Sequence, residues 1–401
     1  MALEPNRQSV YLDYAASAPL HPKVREAMDP WLDPVHAGNP SAVHRAGRQA
    51  RTALEDARDR IADALGIHPL DVLFTSGATE ANNLAIAGAL QGDAQAHVIA
   101  GATDHPSVIE PLTYAQTQGR CTLTWCTPMP VGNPDCGVIP AEHVTAALTP
   151  QTRLVVGTLV TSELGAIQPI SNWLNAMSVH DEQANHPIWS HIDATQGIGR
   201  VPLEDIAARC TSMAISAHKL GGPQGVGVCI VRRNKTIISP ILGGGQERGI
   251  RSGTIPVALC VGAGEAIAHA VNNQQREQQR IQVLSDSLVD GLTGTSWTPT
   301  VRSPHRVANI VHLTAPDTDT ETAVMALDRA GVYVSAGTAC QSGALKTSPL
   351  IKAIGLAPTQ ATLRLSMGWA STTQDIAQAV SALTKMAAGT AATGNMGSCV
   401  F

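Results

Sequence analysis

Aromatic residues are scarce in this chain. Phe, Tyr and Trp make up 3% of the 401 residues, whereas hydrophobic residues in total make up 44%. The core must therefore be built mainly from Ala, Val, Ile and Leu. Domains commonly hold about 100–200 residues, so a chain of this length predicts about two domains.

The chain also lacks an excess of positive charge and a long hydrophobic run. Its net charge is −5 and its pI is about 6.3, which argues against direct binding of nucleic acid or of an anionic membrane. The first ten residues are polar and contain no hydrophobic stretch typical of a secretion signal. The nearest candidate for a membrane span, residues 255–271, is interrupted by Pro256, Glu265 and His269. We expect a soluble, cytoplasmic protein.

None of the eight cysteines belongs to a C-x-x-C pair, which argues against the usual zinc and thioredoxin motifs. A disulfide framework is not expected in a cytosolic protein. Four cysteines beside apolar segments are predicted to be small core residues. They are Cys121, Cys210, Cys229 and Cys260. Cys340 differs, because the flanking Gly337 and Gly343 predict a mobile loop. Taken alone, it would still be more typical of a buried hydrophobic residue.

Residues 44–255 alternate between helical and strand patterns. Residues 44–65 carry apolar residues at helical spacing and are followed by Gly66, a typical helix stop. Short apolar runs of strand length follow at 72–74, 97–100, 154–159, 188–192, 213–215 and 226–231. Strands that alternate with helices predict an α/β fold with a mostly parallel sheet covered on both faces. In such sheets, ligands bind at the carboxyl ends of the strands.

The pattern changes after Pro256. A long helical stretch is predicted up to about residue 292, with a strand at 307–313 and a helix at 322–330. We predict a large domain over residues 20–255 and a smaller α+β domain formed by residues 1–19 and 256–401. The segment 387–401 consists mostly of small residues and is predicted to be flexible.

The segment Phe74-Thr-Ser-Gly77-Ala78-Thr79 predicts a strand, a tight turn and the start of a helix that runs to about residue 90. This arrangement gathers free backbone N–H groups, a helix N-terminus and the Thr79 hydroxyl around one point, which suits a phosphate. An ordinary capped helix explains the same segment equally well.

Asp193 and Lys219 both follow buried-strand patterns. A carboxylate at the end of an apolar strand requires a partner, and a protonated pyridine nitrogen is one such partner. A helix N-cap fits Asp193 as well. Lys219 precedes a Gly-rich turn, and a buried lysine has a lowered pKa and can form a Schiff base. An Asp and a Lys on neighbouring strands match the needs of a pyridoxal 5′-phosphate (PLP) site.

Several motifs, in this order, resemble the cysteine desulfurases of the NifS/IscS type, which have the class V aminotransferase fold. They are Gly-Ala-Thr-Glu at 77–80, Asp-Ala-Thr-Gln at 193–196 and Ser-Ala-His-Lys at 216–219. Further matching blocks begin at Tyr11, Gly38, Gly243, Ser335 and Leu363, so the resemblance covers nearly the whole chain. It implies PLP as cofactor, the fold type I architecture of aminotransferases and a homodimer.

The resemblance also implies a role for each matching residue. Lys219 would carry PLP, Asp193 would pair with the pyridine nitrogen, and His105 would stack on the ring and act in acid–base steps. Gln196 would contact the ring hydroxyl. The other cofactor-binding residues implied are Ala78, Thr79, Ser162, Ser216, Ala217, His218 and, from the second subunit, Thr254.

Substrate binding and sulfur transfer are implied for two further residues. Arg364 resembles the clamp on the substrate carboxylate, for which a guanidinium fork is well shaped. Cys340 resembles the nucleophile that takes sulfur from L-cysteine as a persulfide and leaves L-alanine. Its spacing from Arg364 is that of family members with an extended catalytic loop.

Two departures from the family pattern bear on function. Thr161-Ser162-Glu163 replaces the family's Asn-Asn-Glu, and Ser162 has fewer donors than the second Asn, which contacts cofactor and substrate. A small-residue tail replaces the C-terminal extension that docks an iron–sulfur scaffold. The sulfur-acceptor protein could therefore be a scaffold or a sulfurtransferase, serving iron–sulfur cluster, thio-cofactor or tRNA biosynthesis. Three alternatives stay open: a selenocysteine lyase, a cysteine C–S lyase that releases sulfide, and a non-catalytic partner in sulfur transfer.

Overall fold

The computed structural model of the protein describes residues 9–36, 38–92, 96–184, 187–302, 304–316, 318–336, 348–357 and 359–394. Its strands are β1 (Val10–Tyr11), β2 (Val72–Thr75), β3 (Ala96–Gly101), β4 (Cys121–Cys126), β5 (Thr152–Thr158), β6 (Trp189–Asp193), β7 (Ser212–Ser216), β8 (Gly227–Val231), β9 (Thr298–Pro299), β10 (Ile310–Ala315), β11 (Val332–Tyr333) and β12 (Ala361–Ser366).

Seven of these strands form one sheet in the order β2-β8-β7-β6-β5-β3-β4. All neighbours are parallel except β8, which is antiparallel to both β2 and β7. The link between β7 and β8 is about ten residues long, which is too short for a parallel crossover. The prediction of an α/β fold with a mostly parallel sheet is confirmed, and β4 is an edge strand that the sequence patterns did not reveal.

Helices cover this sheet and build the rest of the fold. They are α1 (Pro22–Leu32), α2 (Arg45–Leu65), α3 (Ala78–Ala89), α4 (Pro106–Thr117), α5 (Ala141–Ala147), α6 (Ile170–Ala184), α7 (Glu204–Arg209), α8 (Val257–Asn272), α9 (Gln274–Gly291), α10 (Thr320–Arg329), α11 (Pro349–Ala353) and α12 (Thr373–Gly394). Helix α2 ends as predicted at Gly66, whose φ of 63° is left-handed and whose N–H caps the last turn.

One prediction about the C-terminal half was wrong. The long helix expected up to about residue 292 is two helices, α8 and α9, because the chain leaves helical geometry at Asn273 (φ −106°, ψ 6°). Helix α12 continues to Gly394, and the rest of the segment predicted to be flexible, residues 395–401, lies outside the described residues. Alanine, which is frequent in α12, is the strongest helix former.

Two smaller sheets lie among the C-terminal helices. Strand β10 pairs antiparallel with both β12 and β9, and β1 pairs parallel with β11. Val10 and Leu12 are buried in one hydrophobic cluster with residues of α9, α12, β10 and β12. The N-terminal segment thus packs against the C-terminal part of the chain, while the proposed domain boundaries stay a prediction.

The four cysteines predicted to be core residues, Cys121, Cys210, Cys229 and Cys260, are buried and free. Burial raises the pKa of the Cys210 thiol to about 12, so that thiol is not a nucleophile at neutral pH. Within the parts of the chain that the structure describes, every helix is too short or too polar to span a bilayer.

Candidate active site

A cavity of about 520 Å³ lies at the carboxyl ends of the parallel strands. Its walls come from the segments that follow β2, β3, β5, β6 and β7, which run in the same direction and so end at the same edge of the sheet. Nine of the predicted site residues line it: Ala78, Thr79, His105, Ser162, Asp193, Gln196, Ser216, His218 and Lys219.

The turn between β2 and α3 forms one wall of the cavity. It approaches the sheet closely because residue 227 has no side chain: a Cβ on Gly227 would lie 2.6 Å from Gly77 Cα. Glu80 closes the turn, since its carboxylate accepts hydrogen bonds from the Ser76 N–H at 2.8 Å and from Arg251 Nε at 2.8 Å. The first turn of α3, with the Thr79 hydroxyl, thus faces the cavity as a site for an anion.

Asp193 lies at the end of β6 and is 4% exposed. One carboxylate oxygen accepts the Thr195 N–H at 2.9 Å, and the other accepts from Asn82 Nδ2 at 2.9 Å. The residues after Asp193 form turns rather than a helix, so the helix N-cap considered for it is wrong. The carboxylate instead lines the cavity with its orientation fixed from both sides.

Lys219 ends a short turn, Ala217–Lys219, that directly follows β7. It lines the cavity, whereas Ala217 is fully buried and is not part of the cavity wall. Burial, together with the charge of Lys219, lowers the pKa of His218 to about 4. His218 is therefore a neutral ring at physiological pH, within 3.2 Å of the Ser17 hydroxyl.

His105 caps the N-terminus of α4, where its Nδ1 accepts the Ser107 N–H at 3.1 Å. Burial lowers the pKa of His105, and the nearby Lys219 lowers it further, against the opposing effect of Asp193. The imidazole is therefore neutral at physiological pH, and it lines the same cavity as Asp193 and Lys219.

Arg364 lies on β12 just behind the cavity wall and is 4% exposed. It donates to the Ser162 carbonyl at 3.0 Å and to the Asp13 carboxylate at 2.9 Å. Sequence reasoning did not identify Asp13, which is 351 residues away in the chain and carries no local signal of this role. The guanidinium is therefore held in one orientation beside the cavity residue Ser162.

Arg200 is a second residue that sequence reasoning missed. It donates to the Gln196 carbonyl at 2.8 Å, to the Gln196 side-chain oxygen and to the Lys219 carbonyl at 3.2 Å. The Gln196 amide also donates to the Ala15 carbonyl at 2.9 Å. These contacts fix the backbone on which Gln196 and Lys219 are presented to the cavity.

Like Ala217 and Arg364, Thr254 does not line this cavity. Thr254 is exposed and lies outside the cavity of its own chain. Cys340 lies outside the described residues, between Ala336 and Ser348.

Comparison with known proteins identifies the fold family. The sequence pattern of Aminotransferase class-V matches residues 10–379. The chain belongs to this family. Among curated relatives, an IscS-like cysteine desulfurase of Mycobacterium tuberculosis is 34% identical over 385 residues, which cover 93% of this chain and 95% of the relative. A cysteine desulfurase IscS of Tolumonas auensis is 35% identical over 383 residues, which cover 92% and 91% of the two chains.

Solved structures agree with this membership. A NifS-like protein superposes with a TM-score of 0.86 at 27% identity and covers 95% of this chain and 100% of its own. A NifS-like protein of Rickettsia africae gives a TM-score of 0.81 at 27% identity, covering 94% and 99%. SspA, solved in complex with cysteine, gives 0.76 at 30% identity, covering 90% and 99%.

Members of this family depend on PLP, and PLP is the cofactor of this chain. The groups present in the cavity suit it. A helix N-terminus with the Thr79 and Ser216 hydroxyls matches a phosphate, the Asp193 carboxylate matches a protonated pyridine nitrogen, and the Lys219 amine matches an aldehyde.

Proposed function

We propose that this protein is a cysteine desulfurase that converts L-cysteine to L-alanine and transfers the sulfur to Cys340 as a persulfide. One observation carries the proposal: a single cavity brings together Lys219, Asp193 and His105, and the guanidinium of Arg364 lies just behind its wall. The chain shares this fold with relatives named cysteine desulfurases over more than nine-tenths of its length.

The chain's own residues divide the work as follows. Thr79, Ser216 and His218 hold the phosphate of PLP, and Asp193 keeps the pyridine nitrogen protonated. Bound PLP supplies an electron sink for the charge left on the substrate Cα. The Lys219 amine accepts the Cα proton, and Arg364 orients the substrate carboxylate through a fork of N–H donors.

Sulfur transfer needs no external oxidant or reductant. The Cys340 thiolate forms an S–S bond with the substrate sulfur while the substrate C–S bond breaks and its electron pair stays on carbon. Protonation of that carbon and return of a proton to Cα complete alanine, which has the composition of cysteine less one sulfur atom. The persulfide on Cys340 then passes to a sulfur-acceptor protein, either a scaffold or a sulfurtransferase.

We also propose that the enzyme works in the cytoplasm as a homodimer. Thr254 is exposed and lies outside the cavity of its own chain, as suits a residue that completes the phosphate site of a second subunit. The same segment exposes Ile238 and Leu242, which are 70% and 85% exposed and would be covered by a partner surface.

The decisive test measures alanine and protein-bound persulfide in the Cys340→Ser and Cys399→Ser variants side by side. Cys340→Ser should retain PLP and bind cysteine but form neither product, because a serine hydroxyl provides almost no nucleophile at neutral pH. Cys399 is close to the end of the sequence, and the Cys399→Ser variant should behave like the wild type. Desulfuration that survives in the first variant and vanishes in the second would refute the assignment, and pyruvate with ammonia would indicate a C–S lyase.

A further inference from the structure

A chain of buried hydrogen bonds runs behind the cavity from Trp189 to Asp193. Trp189 Nε1 lies 2.7 Å from Ser212 Oγ, and Ser212 Oγ lies 2.9 Å from His191 Nδ1. His191 Nε2 lies 2.9 Å from Asn82 Oδ1, and Asn82 Nδ2 lies 2.9 Å from Asp193 Oδ2. The three middle residues, Asn82, His191 and Ser212, are 0% exposed, so bulk water does not compete for these bonds.

The carboxylate end of this hydrogen-bond chain fixes the direction of its bonds. An indole N–H can only donate, so Ser212 Oγ accepts from Trp189, and it still has both a lone pair and its own proton to offer His191 Nδ1. A carboxylate can only accept, so the Asn82 amide must turn its NH₂ group toward Asp193. Its carbonyl oxygen then faces His191 and requires a proton on Nε2. In the neutral ring, the proton of His191 is therefore on Nε2, and the unprotonated Nδ1 accepts the Ser212 hydroxyl proton. Burial keeps this ring neutral at physiological pH, since it lowers the pKa of His191 to about 4.

A branch of this series of hydrogen bonds reaches His105. The second N–H of Asn82 donates to Ser107 Oγ at 2.8 Å. The Ser107 backbone N–H donates to His105 Nδ1, which is therefore unprotonated and also accepts the Ser107 hydroxyl proton, with Oγ 2.8 Å away. With two donors on Nδ1, the proton of neutral His105 is on Nε2. Protonation of Nδ1 would require the Ser107 hydroxyl to turn away.

These contacts explain why position 82 requires an asparagine side chain. An amide at this place donates twice, to Asp193 and Ser107, and accepts once, from His191. Aspartate has the same shape but no N–H group, and would set a second carboxylate against Asp193. Leucine has the same size but neither function.

We propose that Asn82 and His191 are positioning residues that orient the Asp193 carboxylate and hold His105 as the Nε2–H tautomer facing the cofactor cavity. The proposal rests on the proposed function, because it assigns these residues to the PLP site. It makes the resting His105 a hydrogen-bond donor to whatever occupies the cavity, and it makes the Ser107 hydroxyl the element that must rotate before His105 can carry a second proton.

The direct test is the tautomer of the two histidines in the PLP-loaded protein. Selective nitrogen-15 labelling of histidine distinguishes protonated from unprotonated ring nitrogens by NMR, and the His105 and His191 signals are assigned by their loss in the glutamine variants. We expect protonated Nε2 and unprotonated Nδ1 in both rings. In Asn82→Leu, the Ser107 hydroxyl loses its fixed orientation and only the Ser107 N–H still donates to Nδ1, so the His105 signals should shift from those of the pure Nε2–H tautomer toward those of a mixture. A wild-type His105 with its proton on Nδ1 would overturn the proposal.

The second measurement is the rate of PLP release, which does not depend on turnover. Asn82→Leu removes a hydrogen bond to the charged Asp193 carboxylate and should accelerate release about tenfold. His191→Leu removes the bond that orients Asn82 and should accelerate release by no more than this. Because His191 acts through Asn82, the double variant should release PLP no faster than Asn82→Leu alone. Release rates that multiply in the double variant would contradict the linkage.

Two further variants test the proposal even if His191→Leu does not fold. His191→Gln retains a donor for Asn82 and an acceptor for Ser212, so it should release PLP at nearly the wild-type rate. His97→Gln is the matched control, because His97 is another buried histidine of the same sheet that contacts two threonine hydroxyls, at 2.8 Å and 2.9 Å, outside this chain of bonds. It should leave the His105 signals unchanged.

A protein that makes alanine without PLP would refute the proposed function, whereas wild-type tautomers in Asn82→Leu would refute only this inference.

Discussion

Glu163 is a buried acid whose replacement by glutamine should change how stability depends on pH. The residue is partly exposed as a whole, but its carboxyl group points inward. One oxygen accepts a hydrogen bond from the Ser348 hydroxyl at 2.6 Å, and the other is buried without a partner among the described residues. Burial raises the pKa of Glu163 to about 7, against the opposing effects of Ser348 and Arg364.

The size of the effect follows from that pKa. A glutamate in the unfolded chain has a pKa of 4.5, so the folded state binds this proton more tightly by about 3 kcal/mol. A raised folded-state pKa stabilises the protein below the unfolded pKa, and that stabilisation is lost as the pH rises toward 7. Glutamine does not titrate, so Glu163→Gln should lose this part of the pH dependence.

The assay is urea unfolding of the wild type, Glu163→Gln and the control Glu142→Gln between pH 5 and pH 8. Relative to the variant, the wild type should lose about 2–3 kcal/mol of unfolding free energy across this range. Glu142 is exposed, so its variant should follow the wild-type curve. Parallel curves for the wild type and Glu163→Gln would refute the idea that this carboxyl holds its proton in the folded state.

Three further predictions concern the site residues. Lys219→Ala should abolish covalent attachment of PLP and all turnover, and borohydride reduction followed by peptide mapping should place the cofactor of the wild type on Lys219 and on no other lysine. Asp193→Asn should fold but lose most exchange of the substrate Cα proton with solvent, because the electron sink is weakened; exchange at the wild-type rate would rule the pairing out. Arg364→Lys should raise KM for L-cysteine about tenfold or more, because an ammonium group cannot form the two-pronged contact, and an unchanged KM would place the substrate carboxylate elsewhere.

Local sequence patterns were enough to predict the secondary structure that surrounds this site. The strand at 188–192, the turn at Gly77 and the helix stop at Gly66 are each specified by neighbouring residues, and the structure has all three. Parallel strands end at one edge, so Asp193 and Lys219 could be expected in one cavity before any coordinates were known.

Contacts between distant residues could not be predicted in the same way. His191 meets Asn82 across 109 residues, and Arg364 meets Asp13 across 351. A buried polar residue requires a partner, but the sequence does not say which of many distant groups provides it. The edge strand β4 was missed because Thr122, between buried Cys121 and partly buried neighbours, is exposed, so the strand lacks the continuous apolar run of the central strands.

The contacts of Arg364 also limit the effect of having serine at position 162, where the family has asparagine. Arg364 is held by the backbone carbonyl of Ser162 and by the carboxylate of Asp13, and neither contact depends on the side chain at position 162. Serine in place of the family's asparagine therefore leaves the guanidinium of Arg364, which we propose binds the substrate carboxylate, where it is. Compared with asparagine, serine lacks a side-chain amide in the cavity wall. The effect of this replacement should therefore fall on contacts to the cofactor. Ser162→Asn should accordingly slow PLP release while leaving KM for L-cysteine nearly unchanged, and a large fall in KM with an unaltered release rate would show that the side chain acts on the substrate instead.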